Sequence, residues 1–200
     1  RKPDELPWNS IVGLRPETTR LMPALPDQPV LLKSSDPVQI LPGGRLRLLL
    51  AVPLWIQLSG GVSVFDLETD PLSRTWFGDT LTGEAAYALE IQDWMVRREM
   101  QTGGGHIQVP LQIANDSQEL LSFQRLLVRV VHLSVYGAGE LLFTNDVGVT
   151  FRSVNQYSQI SFSSSSSLDP GGSVLLQDPR QRVSENLIRR SFLFFRNLTE

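Results

Sequence analysis

His106 and His132 are the only imidazoles in a chain of 200 residues that has no cysteine. Zinc is held by His, Cys or carboxylate ligands at short spacing, so a site made of histidine and cysteine is excluded, together with disulfides and thiol nucleophiles. His132, between Val131 and Leu133, reads as a strand histidine of the core or its edge. His106 follows Gly103-Gly104-Gly105, a flexible loop with no helix pattern behind it to cradle a phosphate. Asp66, Glu68 and Asp70 alternate, so on a strand their carboxylates share a face that could gather calcium. They lack the glycine and terminal glutamate of a calcium loop, and a solvated polar face accounts for them. Ser63, in Gly61-Val62-Ser63-Val64-Phe65, lacks the second glycine of a nucleophile elbow. No catalytic residue, metal or cofactor is assigned on these grounds.

Asp79 and Glu84 could serve as the acid and base of a glycosidase, and Trp55, Trp76, Trp94, Tyr87 and Tyr136 could stack sugars on an open sheet face. Trp55 is the best placed of the aromatics, on the opposite parity to a row of leucines. Trp55, Trp76, Asp79 and Glu84 thus define a carbohydrate-binding or carbohydrate-active alternative. Aromatic residues on sheets more often belong to the core. With no nucleophile, metal cluster or cofactor loop, the chain reads first as a non-enzymatic binding or assembly module whose partner is a protein or a second copy.

The elements that position these residues follow from composition and pattern. A hydrophobic content of 41% supports a full core. The net charge of −3 gives no general attraction for nucleic acid or an anionic membrane. The longest apolar stretch, residues 46–58, is interrupted by Arg47, Pro53 and Gln57 and falls short of the ~20 residues of a membrane span. Lys2 and Lys33 are the only lysines among 18 basic residues; the scatter of the arginines reads as codon bias, not as selected anion recognition. The chain starts at Arg1, which leaves a removed leader open, with the cytoplasm favoured as location.

Prolines at 3, 7, 16, 23, 26 and 29 make residues 1–29 an extended arm. From Val30 the texture is that of strands, giving a β-body over 30–180. Leu46, Leu48, Leu50, Val52, Leu54, Ile56 and Leu58 share one parity. As one strand they would span roughly 43 Å, so a bend or bulge is expected near Pro53. Gly60-Gly61 turns this row into Val62, Val64 and Phe65. Residues 107–151 read as a three-stranded meander, with turns at Asn115-Asp116-Ser117-Gln118 and Gly137-Ala138-Gly139. A gap-free shift of 80 residues lays Asp36 on Asp116, Arg45-Leu46 on Arg125-Leu126 and Asp66 on Asp146, which raises two similar β-units, 30–100 and 105–180. Residues 84–100 fit strand or helix, and strand is preferred because their neighbours are strands.

Trp76-Phe77-Gly78-Asp79, Gly83-Glu84, Tyr87, then Ile113-Ala114-Asn115-Asp116-Ser117-Gln118-Glu119-Leu120, Arg125-Leu126 and Leu133-Ser134-Val135-Tyr136 give the chain a resemblance to an uncharacterised prokaryotic family known as a domain of unknown function. The resemblance covers most of residues 30–200. It implies no activity, cofactor or catalytic residue, and it supports a strand over residues 84–94.

The end of the chain reads differently. On a helical wheel Val183, Leu187, Ile188, Phe192, Phe195 and Leu198 share one face, with Arg182, Arg189 and Arg196 opposite and Ser184 as an N-cap. This predicts an amphipathic helix over 181–200, docked on the body or on a homodimer partner, whose interacting residues are Arg182, Arg189, Phe192, Phe195 and Arg196. The expected fold is mainly β: an antiparallel β-sandwich, as one body or as two similar β-units, carrying this helix.

Overall fold

Period-two alternation bounded by Gly, Pro, Asn and Asp is realised as strands throughout the described chain. A computed structural model describes residues 19–60, 63–78, 80–81, 83–91, 105–153, 158–183 and 187–189. In chain order its strands are β1 (Arg20–Ala24), β2 (Val30–Ile40), β3 (Arg45–Pro53), β4 (Trp55–Gly60), β5 (Ser63–Glu68), β6 (Ser73–Phe77), β7 (Glu84–Ile91), β8 (His106–Asn115), β9 (Leu121–Val128), β10 (Val135–Ala138), β11 (Leu141–Thr144), β12 (Val147–Phe151), β13 (Ser158–Phe162), β14 (Val174–Gln177) and β15 (Leu187–Arg189). Val130–His132 forms a 3-10 turn, so His132 is not in the strand expected for it. No helix among the described residues is long and apolar enough to cross a membrane.

The strands make three sheets. One runs β1-β4-β5 and a second β6-β7-β2-β9. The largest runs β14-β10-β11-β8-β12-β13-β15, with β3 also on β8. Because β3 lies along the length of β8, β11 and β12 share the opposite edge of β8, one after the other. The two larger sheets are mixed, which corrects the expectation of purely antiparallel pairing: β2 runs parallel to β7, and β8 runs parallel to β11 and β12, while the small sheet is antiparallel throughout. Alternation fixes which face of a strand is buried, but it leaves the partner and its direction open.

The expected meander over 107–151 is corrected for the same reason. β8 and β9 flank the turn at Asn115 but lie in different sheets, and so do β2 and β3. Each pair is an arch, and the two arches interlock: β2 pairs antiparallel with β9, and β3 with β8. The arches begin at Val30 and His106, and their second strands at Arg45 and Leu121, a separation of 76 residues in both cases. The shift of 80 would instead lay Asp36, inside β2, on Asp116, in a turn. Residues 120–136 do not form one strand, because the chain leaves the ladder at Arg129 for the 3-10 turn. Reversal then comes at Gly139, whose φ of +60° suits the first central position of a two-residue hairpin between Ala138 and Leu141.

Asn115 ties the two arches at their turns. Its Nδ2 donates to the carbonyls of Ile40 and Glu119, both at 2.8 Å. Its Oδ1 accepts the Ser117 N–H at 3.1 Å and hydroxyl at 2.7 Å. Its backbone is engaged by the other turn as well, since Gly43 N donates to Asn115 O and Asn115 N donates to Gly44 O. A fully buried amide is thus satisfied at every polar position.

One hydrophobic cluster draws on both larger sheets: Leu48, Leu50 and Val52 of β3, Ile107, Val109 and Ile113 of β8, Val149 of β12, and Leu32, Ile40, Leu121 and Leu126 of β2 and β9. Each such side chain contributes about 1.5 to 3 kcal/mol by leaving water. The long leucine row does not stay in this cluster. It breaks at Leu54, just after Pro53, which can donate no ladder hydrogen bond, and β4 departs into the small sheet.

At the chain ends, Arg20–Ala24 of the expected arm is a strand paired with β4, and residues 1–18 lie outside the described residues. The helix expected over 181–200 is corrected at Leu187–Arg189. These residues form β15, antiparallel to β13, with Ile160 opposite Leu187 and Ser158 opposite Arg189. The edge of β13 supplies backbone partners there, and tertiary pairing overrides a helical pattern. Phe192, Phe195 and Arg196 lie outside the described residues.

Candidate interaction surface

Pairing in the small sheet lines up apolar side chains on one of its faces. In its ladder Leu21 stands beside Leu58 and Leu58 beside Phe65, while Pro23 stands beside Ile56 and Ile56 beside Leu67. Paired residues point the same way, and so do residues two apart. All six side chains therefore lie on one face, which ends at the Gly60–Ser63 pair. Leu21 is 67% exposed, Phe65 42% and Leu67 49%, so this face is turned to solvent.

The opposite face is fixed to the body. Ala24 and Trp55 are buried on it, with Tyr87 of β7 against the Trp55 ring, centroids 5.5 Å apart in an edge-on arrangement. Tyr87 donates its hydroxyl to Asp27 at 2.9 Å. Burial first, and then the hydrogen bond and negative charge of Asp27, push the Tyr87 phenol up to about 12. Further along this face Asp66 accepts two hydrogen bonds from Arg180, at 2.9 and 3.0 Å, and one from Gln57 at 3.2 Å. Arg180 also donates to the Leu25 carbonyl at 2.9 and 2.7 Å, and Gln177 donates to Gln57 at 3.1 Å. The small sheet is thus held by a bidentate ion pair and an amide chain, with its apolar face outward.

The carbohydrate residues are not brought together. Trp55 is 2% exposed and offers no ring face, and its Nε1 has no hydrogen-bond partner among the described residues. Trp76 is 52% exposed in β6, opposite Ala85. Glu84 stands opposite Phe77, on the other side of that sheet from Trp76, and pairs with the buried Arg129. Asp79 and Trp94 lie outside the described residues. Asp66 is taken by Arg180, and no group of three His, Asp or Glu among the described residues could hold a metal ion. His132 meets the Gln181 carbonyl at 2.8 Å through Nδ1 and packs edge-on against Phe162. His106 is exposed at the start of β8. Arg182 is 80% exposed and reaches Asp178 at 3.5 Å, while Arg189 pairs through its backbone in β15.

A cleft of about 370 Å³ opens on the outer face of the largest sheet. Arg47, Gln112, Gly148 and Ser161 form a row across its floor, one from each of four adjacent strands. The 163–168 loop forms its wall, held by Asp146, whose Oδ1 accepts the Ser167 N–H at 2.7 Å and whose carbonyl accepts the Ser163 N–H at 2.9 Å. Leu168 anchors the loop against Leu49 and Phe143. The cleft offers one guanidinium and several hydroxyls, with no histidine to activate them.

Neither surface carried a motif that sequence reasoning could find. Ile56 and Leu58 share the parity of Leu48 and Leu50, so they read as core; only the break at Leu54 turns them outward. The cleft floor comes from strands far apart in sequence, joined by pairing that alternation does not specify.

No curated protein and no solved structure matches the chain. A family model described as "Protein of unknown function (DUF432)" matches residues 1–196. Extending beyond the 30–200 covered by the motif resemblance to take in nearly the whole chain, that match establishes that the protein belongs to the DUF432 family.

Proposed function

We propose that this chain is a non-enzymatic binding or assembly module that works by protein contact through the apolar face of the β1-β4-β5 sheet. The observation that carries this is the composition of the face: six apolar side chains, three of them 42% to 67% exposed, on a sheet whose other side is pinned by Arg180 and Asp66. An apolar surface held outward by an ion pair is what a docking site needs and what a solitary domain avoids. In the same reading the two larger sheets, which share the main cluster, are the layers of a β-sandwich, and the small sheet extends from it.

The carbohydrate alternative draws support only from the hydroxyl-rich cleft, since Trp55 is buried and Glu84 is engaged by Arg129. Comparison of affinity-purified wild type with a Leu21→Ser/Phe65→Ser/Leu67→Ser variant from the native host tests the proposal. Wild type should retain a stoichiometric protein that the triple variant loses. Identical retention by a folded triple variant would contradict it.

A further inference from the structure

We propose that a second copy of the chain joins the small sheet edge to edge through β5 about a two-fold axis at Phe65, so that two apolar faces become one continuous docking surface; the assignment rests on the interaction surface argued above. Among the described residues β5 pairs only with β4, and none of them pairs with its other edge. Exposed edges are ordinarily blunted by proline, lysine or a bulge. The β5 sequence, Ser-Val-Phe-Asp-Leu-Glu, has neither proline nor lysine, and its ladder with β4 runs in continuous register.

Parity and charge then select the register. Two copies of β5 running antiparallel keep their apolar faces on the same side only if residues of like parity stand opposite. Centring the pair on Asp66 would put Asp66 against Asp66, and centring it on Leu67 would put Asp66 against Glu68. Centring it on Val64 would also keep the acids apart but would pair only residues 63–65. Centring it on Phe65 pairs residues 63–67, with Phe65 against its own copy, Asp66 against Val64 and Ser63 opposite Leu67, so no acid faces an acid. Asp66 is already neutralised by Arg180, and Glu68 falls beyond the paired segment. The result is a six-stranded sheet, β1-β4-β5 continued by β5-β4-β1 of the second copy, that doubles the apolar face. Such an isologous contact closes on itself.

The absence of cysteine makes the test direct. Residues opposite one another across an antiparallel pair have Cα atoms about 4.5 to 5.5 Å apart, within the range of a disulfide. Mild oxidation of Phe65→Cys should therefore give a disulfide-linked dimer, whereas Leu21→Cys, exposed but on the far strand, should not. By light scattering the wild type should have twice the 22.4 kDa chain mass and Phe65→Lys the single mass. A wild type that is monomeric at its highest soluble concentration overturns the second copy while leaving the host-partner comparison to decide the interaction surface. A dimer that survives Phe65→Lys, or that cross-links through Leu21→Cys instead, overturns the β5 axis.

Discussion

The Asn115 side chain donates to the Ile40 carbonyl across 75 positions of sequence, at 2.8 Å and fully buried. It joins the turns of two arches whose strands already hold one another through the β2–β9 and β3–β8 ladders. Removing it as Asn115→Ala takes its amide donor from the Ile40 carbonyl and from the Glu119 carbonyl, which the Ser117 hydroxyl still reaches at 3.1 Å, and takes its acceptor from the Ser117 N–H. A loss of about 2 to 4 kcal/mol is expected, read as a lower urea midpoint with unchanged slope. Asn115→Asp should be comparably damaging, because a carboxylate cannot donate to the two carbonyls. An unchanged midpoint in either variant would contradict this role.

Tyr87 makes stability depend on alkaline pH. Its folded pKa is raised from 10.0 to about 12 by burial and by Asp27. Between those values the unfolded chain has lost a proton that the folded chain keeps, so the stability Tyr87 contributes is constant below about 10 and falls as pH rises toward about 12. Tyr87→Phe should flatten this alkaline limb in thermal unfolding. If wild type and variant decline in parallel, Tyr87 is not the group responsible.

Glu84 and Arg129 are expected to be coupled. Arg129 is 5% exposed at its side chain and Glu84 38%, so solvent screens part of the attraction. A double-mutant cycle with Glu84→Gln and Arg129→Met should give a coupling of about 1 kcal/mol, below that of a fully buried pair. Strict additivity would show that the ion pair contributes nothing to the fold.

Gly148 leaves room for a neighbour. A Cβ at this position would come within 2.4 Å of the Ser161 Oγ across the β12–β13 ladder, where Gly148 stands opposite Ser161. Gly148→Ala should cost about 1 kcal/mol, and adding Ser161→Ala should recover most of it. No recovery in the double variant would place the strain elsewhere.

The strands were legible in the sequence wherever one face is buried. Leu48, Leu50 and Val52 alternate because they meet the core, and the strand preference over residues 84–100 matches Glu84–Ile91. Pairing was not legible. The turn at Asn115 looks the same whether the chain folds back as a hairpin or crosses to another sheet, and only tertiary pairing, β8 with β3 and β9 with β2, distinguishes them. Leu187 and Ile188 fit a helical wheel as well as they fit β15, because three residues are too few to set a period. The candidate surface was hidden for the opposite reason: Ile56 and Leu58 continue a core pattern without interruption, and the turn outward at Leu54 depends on Pro53 and on the pinning of Asp66 by Arg180.

The most direct test of the apolar face is hydroxyl-radical footprinting of the protein isolated from its host together with the protein partner it retains, against the same protein freed of that partner. Labelling of Leu21, Phe65 and Leu67 should fall in the assembly while that of exposed Leu81, in the β6–β7 connection, stays constant. Equal labelling of the three residues in both states would contradict the assignment of this face as the working surface of the molecule.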